Sequence, residues 1–279
     1  MNRRVASCII VLVQKEILEA RRNRWVLLYA GAFAVLSLAL SWLGLSRLSA
    51  YGLSGFGRTA ASMINLIMLT IPLMGLTLGA TSLAGERERG TLLLMASQPL
   101  SRFEVMAGKF LGLGAAIVAA LLVGFGVSGA LIAYYGSTLS AGEFAGFVGS
   151  SLMLALASLA IGIAIGSLVR RSEAALGISL LVWLAMVFLG DLGLIGGSVL
   201  WNPDTRLLFN LALLNPLQAF KISAVLSIRG SLDVLGPTGT WAVRSYGPLL
   251  PVLLAGSLAM WSLLGFGFSY WTFHRRGAV

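Results

Sequence analysis

A chain of 279 residues in which 58% are hydrophobic and only 11% charged, with mean hydropathy +0.91, is not a soluble domain, where about a quarter of residues carry charge. Apolar runs of about 20 residues recur, long enough to cross a bilayer, and they are continuous rather than alternating, which favours helices over a barrel. The formal charge of +10 reads in such a chain as orientation signals and lipid-headgroup contacts, not as a nucleic-acid surface, and the single Cys8 excludes an intramolecular disulfide framework.

Taken in order, residues 1–24 do not read as a cleaved signal peptide, because the apolar stretch Cys8–Val13 is short and charge follows it. Ile10, Val13 and Ile17 share one helical face, with Lys15, Glu16, Glu19 and Arg22 off it, which predicts a cytoplasmic interfacial helix. The first span is expected over Trp25–Leu45, with Trp25, Tyr29 and Trp42 as interfacial aromatics. A Gly/Ser-rich link over Ser46–Arg58 leads to a second span, Ala61–Leu83, which tolerates and kinks at Pro72.

Residues 84–106 form a charged interruption whose core reads GERERGTLLLMASQPLSRFEVMAGKF from Gly85 to Phe110. One reading is a solvated loop. The other is a short amphipathic helix on the membrane surface, with Glu86, Arg87, Glu88 and Arg89 as its polar head and Leu92, Met95 and Ala96 at helical spacing. Pro99 ends it, since proline has no N–H to give and disfavours helix before it.

The third span is expected over Ala107–Tyr134, the fourth over Phe144–Val169 and the fifth over Ala174–Gly190, the last two joined by the turn Arg170, Arg171, Glu173. Glycines four apart at Gly75/Gly79, Gly108/Gly112 and Gly162/Gly166 suit close helix packing, either within the chain or at a subunit interface. From Asp191, expected at the far interface, to Pro248 hydropathy falls and turn residues collect. Within this segment a short helix begins at Asn215 with Pro216 in its first position. The sixth span, Leu249–Trp271, ends in His274, Arg275 and Arg276. With both termini cytoplasmic, 14 of the 20 cations fall on the inner side, the positive-inside pattern.

Catalytic and metal-ligating patterns are missing from the sequence. His274 is the only histidine, so no HExxH zinc site exists, and there is no G-x-S-x-G elbow. Asp191, Asp204 and Asp233 are not paired within spans, the nine methionines form no ladder with Cys8, and few ionisable groups lie mid-span, which argues against an ion-coupled carrier. No G-x-x-x-x-G-K-[ST] loop is present, so ATP and Mg would be held by another chain.

Six spans, the interfacial N-terminal helix, the charged segment between spans two and three and the helical external segment before span six resemble the ABC-2 type permease family. The carrying motif is GERERGTLLLMASQPLSRFEVMAGKFLG. Further stretches, RNRWVLLYAGAFAVLSLALSWLG, IPLMGLTLGA, FLGDLGL and LLNPLQAFKISAV, make it similar to the permeases that serve nitrous oxide reductase maturation, from about Arg22 to Ala224. The resemblance implies a homodimer in the bacterial inner membrane that binds a cytosolic ATPase. It also implies a periplasmic copper-chaperone-like partner and a sulfur species moved outward for assembly of a copper–sulfur centre. It implies an ATPase-coupling role for Glu86, Arg87, Glu88, Arg89, Gly90, Leu92, Met95 and Arg102, and no catalytic group, metal or cofactor on this chain. Residues 191–248 are expected to be either a lid or a docking platform for the external partner, with Trp201, Lys221, Arg229, Trp241 and Arg244 as docking residues. A second reading has the chain transmit ATP-driven motion to that partner with no cargo crossing.

Overall fold

The computed structural model describes residues 2–46, 56–92, 100–134, 141–200, 204–229, 232 and 236–276. All regular structure among them is helical: α1 (Asn2–Arg22), α2 (Arg24–Ser46), α3 (Phe56–Glu88), α4 (Arg102–Tyr134), α5 (Ala141–Leu168), α6 (Ser172–Leu200), α7 (Thr205–Leu213), α8 (Pro216–Arg229), α9 (Gly236–Tyr246) and α10 (Leu250–Arg276), with a 3₁₀ turn at Gly247–Leu249. Six of these, α2 to α6 and α10, are long and apolar enough to span a membrane.

The centre of the bundle is the α3–α5 pair. With no hydrophobic driving force between helices in lipid, close backbone approach supplies the packing energy. Glycines permit it here. A Cβ at Gly79 would lie 2.6 Å from the Leu159 carbonyl oxygen, one at Gly162 would lie 2.5 Å from that of Leu76, and one at Gly166 would collide with Ala80. α10 packs on the same helix, where Gly265 meets the backbone of Ala160. α4 receives α2 through the edge-on Phe33–Phe125 pair, ring centroids 5.2 Å apart, and through the Ser37–Ser128 hydroxyl pair at 2.5 Å.

The third glycine pair, Gly108/Gly112, seats α1 against α4: a Cβ at either would come within 2.5 Å of Leu12 or Glu16 Cβ. All three pairs therefore serve packing inside the chain. α1 turns Glu16 inward. Ile10, Val11 and Leu18 are exposed, while Glu16 and Ala20 are buried. In a membrane protein the outward face can meet lipid, so the polar side points in, where charges find partners.

Several boundaries move. α3 runs through Pro72 and carries on to Glu88, so the acidic and basic residues after Leu83 are its last turn and not a separate helix's head. α4 starts at Arg102, because Ser101 and Glu104 form a reciprocal capping box: Glu104 Oε2 accepts from the Ser101 N–H at 2.6 Å and Ser101 Oγ from the Glu104 N–H at 3.2 Å. The expected amphipathic residues Met95 and Ala96, with Pro99, lie outside the described residues, as does most of the Ser46–Arg58 link. α6 does not stop at Gly190 but continues to Leu200, so Asp191 falls within the helix.

Among the described residues, the segment before α10 holds three helices, α7 to α9. α8 begins as expected: Pro216 occupies its first turn and Asn215 Oδ1 accepts from the Leu217 N–H at 3.0 Å. Asn215 Nδ2 also donates to the Met186 carbonyl at 2.7 Å, fixing the α7–α8 bend to α6. Leu217, Phe220 and Ala224 are buried in the main core beside Phe147, so α8 is embedded among the spans. Phe209, Leu250 and Leu254 centre a smaller core that unites α7, α9 and the start of α10, with Trp241 and Tyr246 packed against it.

Candidate functional site

Glu86, Arg87 and Glu88 are consecutive residues, so on a helix they point in three directions. Each meets a different neighbour. The helix ends just beyond them: Arg89 N–H bonds the Gly85 carbonyl, Gly90 N–H bonds that of Arg87, and Gly90 takes φ +73°, a conformation free of cost only for glycine.

Glu86 faces α1 and α4. Its Oε1 accepts from Lys15 Nζ at 2.9 Å, and its Oε2 lies 2.9 Å from Lys109 Nζ as a charge pair. Lys109 donates to Glu16 Oε1 at 3.0 Å, and Lys15 also reaches Glu16 at 3.5 Å and Glu19 at 3.2 Å. Glu16 and Glu86 are 4% exposed and Lys109 is 2% exposed. Charges so withdrawn persist only when paired, and removing one partner from such a network costs about 3–5 kcal/mol. Burial alone would lower the Lys15 pKa; the Glu86 carboxylate and its hydrogen bond, then Glu16 and Glu19, outweigh this and hold it above the usual lysine value. Because the folded value is raised, the Lys15 contribution is complete below the ordinary lysine pKa and is lost only as pH rises through the higher folded value. Lys15 therefore stays charged and paired across the neutral range.

Arg87 faces α5. Its guanidinium donates to the carbonyls of Ser167 at 3.2 Å and Val169 at 3.0 Å, which lie at the end of that helix and have no partner within it. A cation there also meets the negative end of the helix dipole. Glu88 faces α6: its Oε2 accepts from the Ser172 N–H at 2.9 Å, one of that helix's unpaired first-turn donors, and puts an anion at the positive end. One turn of α3 thus holds α1, α4, the end of α5 and the start of α6. Across the same end of the bundle, Arg102 donates to the His274 carbonyl in the last turn of α10.

A cavity of about 270 Å³ opens beside this junction, between α1, α2, α3 and α6, with Glu19, Tyr29, Thr77, Thr81 and Arg89 on its walls. The carboxylates of Glu16, Glu19 and Glu86 converge there closely enough to suggest a metal cage. Lys15 and Lys109 pair with all three of them, so most of the cluster's charge is already offset from within the chain.

The expected coupling residues divide accordingly. Glu86 is buried, and Leu92, 1% exposed, is part of the main core. Glu88, Arg89 and Arg102 remain exposed. Of the expected docking residues, Trp201 and the Arg229 side chain lie outside the described residues. Trp241, half-buried, packs in a ring cluster with Phe209 at 6.0 Å and Tyr246 at 5.9 Å. Lys221 is half-buried on α8 and Arg244 is exposed.

Lys15, Glu16 and Lys109 were absent from the sequence-derived set. Their signals were present. Glu16 falls at helical spacing between Leu12 and Ala20, and Lys109 interrupts the glycine-rich opening of a span.

Comparison with known proteins places this architecture. Residues 10–278 match the model of the family described as "ABC-2 family transporter protein". The chain belongs to the ABC-2 transporter family. It is 33% identical over 271 residues, 95% of this chain and 97% of the relative, to the "Probable ABC transporter permease protein NosY" of Pseudomonas aeruginosa. It is also 33% identical over 276 residues, with the same shares covered, to the protein of that name from Stutzerimonas stutzeri. As an ABC-2 permease it is the multi-pass membrane subunit, with ATP hydrolysis on a partner ATPase subunit. The charged junction lies beside the charged segment between the second and third spans that carried the family resemblance.

Proposed function

We propose that this chain is the membrane half of an ATP-driven exporter in a bacterial inner membrane, with both termini cytoplasmic. It works as a homodimer and moves a sulfur species outward for assembly of a copper–sulfur centre, with a periplasmic copper-chaperone-like protein as its external partner. The observation that carries this reading is the junction at Glu86–Glu88. An ATPase engaging the stretch from Arg89 to Arg102 would push on a turn bonded to α1, α4, α5 and α6 together. Motion reaching that turn is then passed to those four helices through their bonds to it. The near full-length likeness to two permeases named NosY supports the permease role.

A second reading is favoured by the outer segment. α7 and α9 share a core with the start of α10, and that unit is tied to α6 by Asn215–Met186 and to α10 by Ser257–Leu213 at 2.9 Å. A rigid outer unit moving with the spans can reshape an external partner with no cargo crossing. Inverted vesicles holding the permease and its ATPase separate the two readings. ATP-dependent accumulation of ³⁵S-labelled sulfur species is expected for export. ATP hydrolysis without accumulation, with or without the external partner, supports motion transfer and rejects export.

A further inference from the structure

α7 and α8 meet at a bend of 108°, and the contacts of α7 fix its depth. Phe209 packs with Leu250 and Leu254 near the start of α10, whereas Ser257 bonds the Leu213 carbonyl. Ser257 lies seven residues into α10, about 10 Å along it. The bend itself is pinned to Met186, fourteen residues into α6 and about 21 Å from its start, still within a hydrocarbon core of about 30 Å. α7 therefore descends from its Asp204 cap into the bilayer zone, and α8 turns back among the spans.

Down this descending arm Leu207, Leu211 and Leu214 follow one edge at helical spacing, 57%, 56% and 62% exposed. The opposite edge, Phe209 and Ala212, is buried. At the top sit Arg206, exposed, and Asp204, whose carboxylate accepts from the Arg206 N–H at 3.4 Å. At the foot Leu211 and Leu214 border a groove of about 280 Å³ whose far wall is Leu189 and Gly190 of α6 and whose floor is Asn215 and Gln218. The groove continues onto the outer end of the apolar face of α6 at Phe188 and Leu189, both exposed.

We propose that this edge of α7 is a phospholipid site: one acyl chain lies along Leu207, Leu211 and Leu214 into the groove beside Leu189, with the phosphate near Arg206. Three facts on α7 select lipid over a protein occupant. The leucines run beside α6 and α10 at heights that fall inside a hydrocarbon core of about 30 Å, the groove opens onto the exposed Leu189, and the exposed cation of the arm stands at its shallow end. A consequence is that the α7 edge is closed to the external partner, which is left the α9 side with Arg244.

Site-directed spin labelling tests this in the permease–ATPase complex in phospholipid nanodiscs. Leu207→Cys, Leu211→Cys and Leu214→Cys are made in a Cys8→Ser background, each at an exposed position that tolerates the label. Collision with molecular oxygen, which partitions into lipid, is compared with collision with a water-soluble nickel chelate. The expected result is high oxygen and low nickel access at all three, the ratio rising from Leu207 to Leu214. High nickel access means that the arm lies in water, and low access to both means that protein covers it; either overturns the site. Native mass spectrometry then reads the headgroup, and Arg206→Gln is expected to lose at least half of the phospholipid retained by the parent complex. Unchanged retention removes Arg206 from the site.

Discussion

Lys109 and Glu86 meet at 2.9 Å with both side chains withdrawn from solvent, joining the start of the third span to the end of the second. Each also holds a residue of α1, so neither can be removed without stranding a charge. Glu86→Lys would bring a third lysine to Lys15 and Lys109. It is expected to lower stability in detergent by about 3–5 kcal/mol, seen as a marked fall in the melting midpoint. The exchange Glu86→Lys with Lys109→Glu is expected to recover part of that loss. If the double exchange melts no higher than the single change, the pair is not an energetic unit.

Arg87 acts through geometry as well as charge. Its single nitrogen Nη1 donates to both the Ser167 and the Val169 carbonyl, and it lies one bond further from the backbone than a lysine ammonium would, so the shorter side chain falls short of the pair. Arg87→Lys is therefore expected to behave like Arg87→Ala. Both should retain the ATPase in a pull-down while ³⁵S accumulation falls at least several-fold. Full activity of Arg87→Lys would reduce the contact to simple charge attraction.

The glycines give a graded series. At Gly112 a Cβ would sit 2.5 Å from Glu16 Cβ, and at Gly126 nothing lies within 4 Å. Gly112→Ala is expected to cost about 1–3 kcal/mol by overpacking and to loosen α1, read as faster proteolysis at its end near Arg22. Gly126→Ala should leave melting and proteolysis unchanged. Equal behaviour of the two variants would mean that α1 is not seated as described.

α2 and α6 keep much of their apolar surface uncovered, including Leu28, Val35, Leu181 and Leu184. A homodimer is expected to use part of it. Single cysteines along these two helices, in a Cys8-free background, should trap a dimer from at least one position, and a monomer mass for the active complex would exclude it.

The spans were legible because apolar runs of bilayer length have few alternatives. Asn215-Pro216 announced α8 for a local reason, an amide cap followed by a residue with no N–H to satisfy. The burial of Glu16 on α1 was not legible. Amphipathic patterning identifies two faces but not which one meets lipid, and Glu16 looked like a surface charge until Lys109 of another helix supplied its partner. The burial of Leu92 and the ring contacts of Trp241 were not legible for a related reason. Exposure in the chain order says nothing about burial by helices distant in sequence, and here those helices are the main core and the Phe209 cluster.

The central claim is that the last turn of α3 passes the ATPase's motion to the spans. Glu88 and Arg87 can both be changed to alanine without touching the Lys15–Glu86–Lys109 network. In inverted vesicles the Arg87→Ala, Glu88→Ala permease should still bind its ATPase and allow ATP hydrolysis, yet lose ATP-driven ³⁵S accumulation by tenfold or more. Accumulation at the parent rate, with the same ATPase bound, would contradict the account.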